Sequence, residues 1–569
     1  VEVVSDTRRR VPAGEEQPAR EVIRPFPRRA RVGATWLALA VGGAIAVGLV
    51  LRFSSRSDLW SDEALAVNIA RLPLHDLGHA LRQDGAPPLY YVLLHVWMRV
   101  FGTSNFVARA LSGVFAVAAL PAAWYAGRRL DVRRARAGAH PGNSPAEGLV
   151  EGPVADAVDD PGDDLGDDAV DGMAGGHPVA WATLLLLASS PFAVRYATEA
   201  RMYSFMLLLA FLGYLALARA LEQSSLMRLA AVAVVTALLL YTHYWGFAVV
   251  GVVGAWLAFE AWRGERARTA RRSLAAIAAG VLLFVPWVPT FLFQLQHTGT
   301  PWAGRVLPTA GAAKVLHDFG GGFRPLVYSL TLIALLALFA RAVDTRHIDL
   351  DLLTRPGVRG EALLATASLA AALGLSYLGH TAVEGRYAAV VFPLFLLVVA
   401  FGLMAFASRP VRCVVLAALV VTGVAGGVRD VREKRTQARQ SAARIAHDAR
   451  PGDVVAFCPD FIAPDVSRLL PGGLRQITFP EGPGPGLVNW IDHAERTQQE
   501  GPRIFARRVL SSAGNHDVWF VWTHGVRELR HKCEEIGAAL AAERKGSQPL
   551  VEPDSDFFEN QGLVRYPKG

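Results

Sequence analysis

Three short clusters in this chain combine acids, arginines and aromatics in patterns suited to group transfer. Ser61, Asp62 and Glu63 put adjacent carboxylates at the start of a helical pattern; Arg195, Glu199, Arg201 and Tyr203 follow one another in RYATEARMYS; Glu384, Arg386 and Tyr387 stand together in VEGRY. A carboxylate held at a helix start can take a proton from an attacking hydroxyl. A guanidinium fork can hold phosphate through two parallel hydrogen bonds. Each cluster also has a plainer reading. Ser61 can cap a helix whose first turn favours Asp62 and Glu63, Glu199 can pair with Arg195 four residues earlier, and Arg386 can snorkel to a membrane interface. His243, with Tyr244 and Trp245 in YTHYWG, suits an aromatic belt.

The elements that would carry these residues are set by composition. Of 569 residues, 52% are hydrophobic and 19% charged, and mean hydropathy is +0.28. Too much apolar surface is present for one soluble core, so lipid must solvate it. Eleven apolar runs are long enough to span: 34–51, 110–126, 178–194, 202–218, 229–245, 246–262, 274–293, 325–340, 362–378, 387–407 and 413–427. The net charge of +8 comes from arginines at the ends of these runs. That placement sets membrane orientation and argues against nucleic acid as a partner.

Alternate connections hold the Arg clusters, including Arg128 to Arg136 and Arg263 to Arg272, and these belong in the cytoplasm. The connections around 52–105, 195–201, 295–324 and 379–386 therefore face outward, and an odd number of spans puts the C-terminal tail outside. The expected organisation is a cytoplasmic disordered leader over 1–33, a membrane catalytic domain over 34–428, and an extracytoplasmic α/β domain over 429–569. The first outer loop, 52–105, carries Asp58, Asp62, Glu63, Asp76 and Asp84. Within it APPLYYVLLHVW reads as a helix lying on the membrane surface, with His95 packed or interfacial. The stretch 137–176 is a disordered acidic cytoplasmic insertion without the ligand spacing of a calcium loop. In the tail, PGDVVAFCP, HDVWFVW and GLVRYP read as strands between helical patterns. Of three cysteines, Cys413 opens a span, while Cys458 and Cys533 lie in the tail and could pair in an oxidising compartment.

WSDEA after the first run, then PPLYYVLLHVWMRVFGTSNFVARALS, RYATEARMYSFMLLL, YTHYWG, PWVPTF and GRYAAVVFPLFLL, occur in order over about residues 34–407. This series resembles bacterial GT-C membrane glycosyltransferases, most nearly the family 39 protein mannosyltransferase and aminoarabinose transferase group. The Arg- and Ala-rich composition resembles that of actinobacterial proteins. The resemblance implies an all-α polytopic enzyme that moves a sugar from a polyprenyl-phosphate donor to a hydroxyl of an envelope glycan, glycolipid or protein, with inversion, at the outer face of the cytoplasmic membrane. Mannose is the first expected sugar and arabinofuranose from decaprenyl-phosphate arabinose the second.

By that resemblance Asp62 is the general base, and Glu63 orients sugar or acceptor. Arg201 lies at the donor phosphate with Arg386 as a second anchor, and Glu199, Tyr203, Tyr387 and His243 line the substrate. Relatives place His before the PP segment; here that position is Ala86, and nearby Asp84 is the candidate substitute. No metal ligand and no cofactor is assigned, and a divalent metal stays open because some relatives use one and others do not. The rival function is a lipid or glycan transporter, for which charges near mid-span on broken helices and two matching halves are expected; the sequence displays neither.

Overall fold

The computed structural model describes residues 28–138, 176–300, 303–353 and 357–568. The acidic stretch 151–171 and the leader up to residue 27 lie outside the described residues. Apolar backbone in lipid must satisfy its own polar groups, which favours helices, and most of the chain before residue 433 is helical. Among the described residues, six helices are long and apolar enough to cross a membrane, and two bent helix pairs raise the number to eight. The eleven expected runs are therefore only partly matched by that measure. Three of them correspond to shorter helices, Ala38–Leu51, Leu226–Thr242 and Phe392–Ala405.

The helix Asn105–Gly138 illustrates how the two ends differ. Near its start Arg109 bonds Glu63. Arg133, about 36 Å further along the helix axis, bonds Glu361 and Tyr214. That length exceeds the roughly 30 Å hydrocarbon core of a bilayer, so one helix, with Pro121 inside it, separates the acid cluster from the arginine-rich end.

Pro178–Ser189 and Pro191–Ala197 form one of the bent pairs, turning through 53°. Pro191 has no N–H to donate, so the helix cannot continue its ladder through it, and the Ser190 side chain caps the second segment by accepting from the Ala193 N–H at 3.1 Å. The break leaves the Leu187 and Ala188 carbonyls short of helical donors. Arg52, 1% exposed, supplies them at 2.7 and 2.8 Å. This joint aims residues 198–201 toward the first loop. In that loop, the helix Ser61–Arg71 packs on both Leu74–Asp84 and Leu89–Phe101. His95 is buried and bonds the Ala70 carbonyl at 2.8 Å, the packed reading.

Nine strands are present among the described residues. β1 (Ala340–Ala342) and β2 (Ile348–Leu350) form a small antiparallel hairpin. β3 (Lys434–Thr436) pairs in parallel with β8 (Phe557–Glu559). β4 (Val454–Cys458), β5 (Arg475–Thr478), β6 (Val518–Trp522), β7 (Gln548–Val551) and β9 (Gly562–Tyr566) form a sheet in the order β5-β4-β6-β9-β7. Alternate residues of β4 enter opposite cores: Val454, Ala456 and Cys458 face the helices Pro502–Ala513 and Lys532–Glu543, while Val455 and Phe457 face Ala438–Asp448. Strands form at all three segments read as strands from sequence. Cys458 and Cys533 form a disulfide with Cα atoms 5.6 Å apart, tying β4 to the helix Lys532–Glu543.

Candidate active site

The acid helix Ser61–Arg71 starts where the Ser–Asp–Glu pattern places it, but its cap is not the expected one. Trp60 occupies the N-cap position and no side chain of the helix itself caps it. The Ser61 N–H instead donates to Glu559 Oε2, from β8, at 3.0 Å. Helix starts leave such donors open, and here a residue almost five hundred positions away closes one.

Asp62 and Glu63, adjacent in sequence, point into opposite environments. Glu63 is 0% exposed. Arg109 grips it through Nε at 2.7 Å and Nη2 at 2.6 Å, and the Ala200 N–H donates to it at 2.8 Å. Arg435, also fully buried, lies 4.0 Å away. Burial pushes this carboxyl toward protonation, but the Arg109 and Arg435 charges and the Ala200 N–H outweigh it and hold it below its ordinary value. Glu63 is thus an ionised tie between the acid helix, the helix Asn105–Gly138 and the 198–201 turn. Its oxygens are taken by protein donors, unlike the substrate-orienting group expected from sequence.

Asp62 keeps 29% of its side chain exposed and faces Arg386, with Oδ2 and Nη1 3.3 Å apart. Its backbone carbonyl accepts from Arg201 Nη1, also at 3.3 Å. Arg201 reaches the Tyr91 hydroxyl at 3.4 Å, and that hydroxyl donates to Asp84 Oδ2 at 2.7 Å. Asp84 therefore joins the cluster through Tyr91. Burial raises its carboxyl above the ordinary aspartate value, with Arg201 and Tyr91 opposing.

Arg386 follows Gly385, where a Cβ would fall 2.0 Å from Asp318 Oδ2; only glycine lets this turn approach. The guanidinium stands over the rings of Trp60 and Tyr387, 5.4 and 5.7 Å from their centroids. Tyr387 lies 5.2 Å from His243 and 5.7 Å from Trp245, and Tyr203 lies 6.1 Å from His243, centroid to centroid. Arg201 Nε and Arg386 Nε are both buried without a hydrogen-bond partner. Two guanidiniums with donor capacity to spare, an exposed carboxylate and an aromatic wall together suit an anionic ligand carrying a polar ring.

Glu199 does not share this arrangement. It pairs with Arg195 at 2.8 Å, the helical i,i+4 pairing, and Arg195 also pairs with Glu433. Of the residues singled out in the sequence, Asp62, Arg201, Arg386, Tyr203, Tyr387, His243 and Asp84 converge, while Glu63 and Glu199 are tied up as structural anchors. Sequence reasoning missed the roles of Arg52, Arg109 and Arg435. A usable signal existed for Arg109: a lone arginine in NFVARALS, beside an apolar run, requires a partner. Among the described residues no group of three or more His, Cys, Asp or Glu side chains is arranged to hold a metal ion.

No family model matches the chain, and no curated protein matches it. Solved structures do. ArnT from Cupriavidus metallidurans in the apo state superposes with a TM-score of 0.56, and the same protein bound to undecaprenyl phosphate with 0.53. Both are 12% identical, with 94% of this chain and 98% of theirs covered. The likeness extends over nearly the whole length of both chains. At that identity it rests on backbone path rather than on shared residues: this chain shares the overall fold of ArnT.

Proposed function

We propose that this chain transfers a sugar from a polyprenyl-phosphate donor to a hydroxyl acceptor at the outer face of the cytoplasmic membrane. The observation that carries the reading is the Asp62–Arg386 pair with Arg201 beside it, a carboxylate and two guanidiniums at one end of the helix bundle. The fold supports it, since ArnT, which shares the fold, has been solved with undecaprenyl phosphate bound. Arg386 and Arg201 hold the donor phosphate. A phosphate engaging Arg386 competes with Asp62 and releases that carboxylate toward the acceptor. The acceptor oxygen attacks the anomeric carbon as the bond to the phosphate oxygen breaks. The acceptor proton passes to Asp62, the polyprenyl phosphate leaves with its charge held by the two arginines, and the anomeric configuration inverts. Tyr203, His243 and Tyr387 line the sugar side, and Asp84 holds Tyr91 against Arg201.

The proposed topology keeps the Arg128–Arg136 end in the cytoplasm and the α/β unit over 429–569 outside. The Cys458–Cys533 disulfide supports that side, because such bonds persist in oxidising compartments. Mannose is the first candidate sugar, arabinofuranose the second, and the acceptor an envelope glycan, glycolipid or protein. The transporter reading has one observation in its favour, the two bent helix pairs. Incubating membranes that contain the protein with radiolabelled polyprenyl-phosphate mannose or arabinofuranose separates these possibilities. Sugar transfer that disappears in Asp62→Asn supports the reading. Passage of intact lipid-linked sugar without bond cleavage, or undiminished transfer by the variant, overturns it.

A further inference from the structure

The two halves of the site are bound to one small ribbon that belongs to neither. On β8, Glu559 closes the open Ser61 N–H at the start of the acid helix, one residue from Asp62. On the partner strand β3, Arg435 donates through Nη1 to the Thr198 carbonyl at 2.6 Å and through Nη2 to the Thr198 hydroxyl at 2.7 Å, at the head of the turn that carries Arg201. The Arg435 N–H reaches Ser57 Oγ at 3.0 Å, just before the acid helix. Register places Thr436 opposite Glu559, so the two holds are fixed relative to each other. Phe558 adds an edge contact to Trp60, the residue beneath Arg386.

We infer that the β3–β8 ribbon is the clamp that sets Asp62 against Arg201, with Glu559 and Arg435 as positioning residues for the transfer. The inference rests on Asp62 being the base as proposed above. It adds a role for the C-terminal unit, which is to hold the carboxylate and the phosphate-binding arginine at a fixed separation. Misplacing a reacting group by an ångström costs on the order of a hundred-fold in rate, so a clamp on each side of the site acts directly on turnover.

The chemistry of the clamp makes it testable. Glu559 is hydrogen-bonded to Asp465, which is buried and accepts from the Thr436 hydroxyl at 2.6 Å and from the Val466 N–H at 2.8 Å. Burial raises both carboxyls, Asp465 to about 6 and Glu559 well above its ordinary value, because their low-dielectric site tolerates one negative charge better than two. A proton shared by the pair lets Glu559 donate to Asp465 while it accepts from the Ser61 N–H. The titratable and charged groups on the elements packed around the pair are Lys434 and Arg435 on β3, Asp556 on β8, Asp62, Glu63 and Arg71 on the acid helix, Arg439, Arg444, His447 and Asp448 on Ala438–Asp448, and Arg195 against Phe558. The folded pair binds its proton more tightly than the unfolded chain does, so the clamp is complete at lower pH and weakens as pH rises through the pair's upper step. Glutamine at 559 can make both hydrogen bonds and has no proton to lose.

The test compares Glu559→Gln, Glu559→Ala and Asp62→Asn in full-length protein in membranes, by transfer rate against pH and by amide exchange of residues 61–66. Glu559→Ala is expected to lower kcat about ten-fold or more with the donor KM within about two-fold, and to speed exchange in the first turn. Glu559→Gln is expected to keep the neutral-pH rate and lose the alkaline fall of the wild type. Wild-type exchange in Glu559→Ala overturns the clamp, as does an unchanged pH profile in Glu559→Gln. If Glu559→Ala does not accumulate as folded protein, the Glu559→Gln profile and exchange decide alone. An inactive Asp62→Asn beside wild-type behaviour in both Glu559 variants sinks the clamp only. An active Asp62→Asn sinks the proposed base, while the exchange data still judge the clamp.

Discussion

Neighbouring acids at 62 and 63 are expected to fail in different ways when altered. Glu63→Ala removes the partner of a guanidinium that is itself 7% exposed, together with the acceptor for the Ala200 N–H. Stranding one member of a buried ion pair costs about 3–5 kcal/mol, and the loosened 198–201 turn carries Arg201 with it. Thermal unfolding in detergent is therefore expected to shift down strongly, and activity to fall with the loss of folded protein and with the displacement of Arg201. Asp62→Asn keeps the size of the side chain and an oxygen that can accept from Arg386 in this part-buried pair, so the melting curve is expected to shift much less than that of Glu63→Ala. Transfer, by contrast, is expected to fall about 10²–10⁴-fold, the range for loss of a general base. The sign of the pH effect follows. Because Glu63 is held below its ordinary value, its contribution to stability is complete above the usual glutamate range and is lost as pH falls through its lowered folded value. A Glu63→Ala protein with wild-type thermal stability, or an Asp62→Asn protein that unfolds early, would refute the division of labour between the two acids.

Three further outcomes are expected. Arg386→Ala should raise the donor KM about 10–100-fold, the value of one or two charge-assisted hydrogen bonds, and Arg386→Lys should recover only part of it because the fork is lost; equal donor KM in wild type and Arg386→Ala would remove Arg386 from the phosphate site. Cys458 and Cys533 should resist a membrane-impermeant thiol reagent in intact cells until reduced, and Cys458→Ser should lower the stability of the α/β unit by about 4 kcal/mol for a loop of this length; labelling without reduction would contradict the bond. His493 is buried between Asp460 and Glu528, whose bonds and charges outweigh the effect of burial and raise it to about 9. Its stabilising contribution should be complete below the ordinary histidine value and fade as pH rises through about 9, on the order of 3 kcal/mol in all, and His493→Gln should flatten that part of the stability profile seen by chemical denaturation.

What could be read from the chain alone follows the physics of local pattern and of membranes. Long apolar runs bounded by arginine must become helices in lipid, because the bilayer offers the backbone no other partner, and each of the three predicted strands in the tail forms. Asp62, Arg201 and Arg386, which the ordered motifs singled out, lie side by side, and charges beside apolar runs need such a common polar pocket. The count of spans was less legible: helices such as Leu226–Thr242 end within a few residues of the usual spanning length, where hydropathy alone does not discriminate. Tertiary structure decided which of two adjacent acids stays open. Asp62 and Glu63 have the same chemistry and nearly the same local context, and they differ only in that Arg109, Arg435 and the Ala200 N–H converge on one of them from 46, 372 and 137 positions away. It likewise replaced the expected Ser61 cap with Glu559 and gave Glu199 to Arg195. Partners that distant leave no periodicity for a local pattern to carry; they meet only because the helices and the ribbon pack as they do.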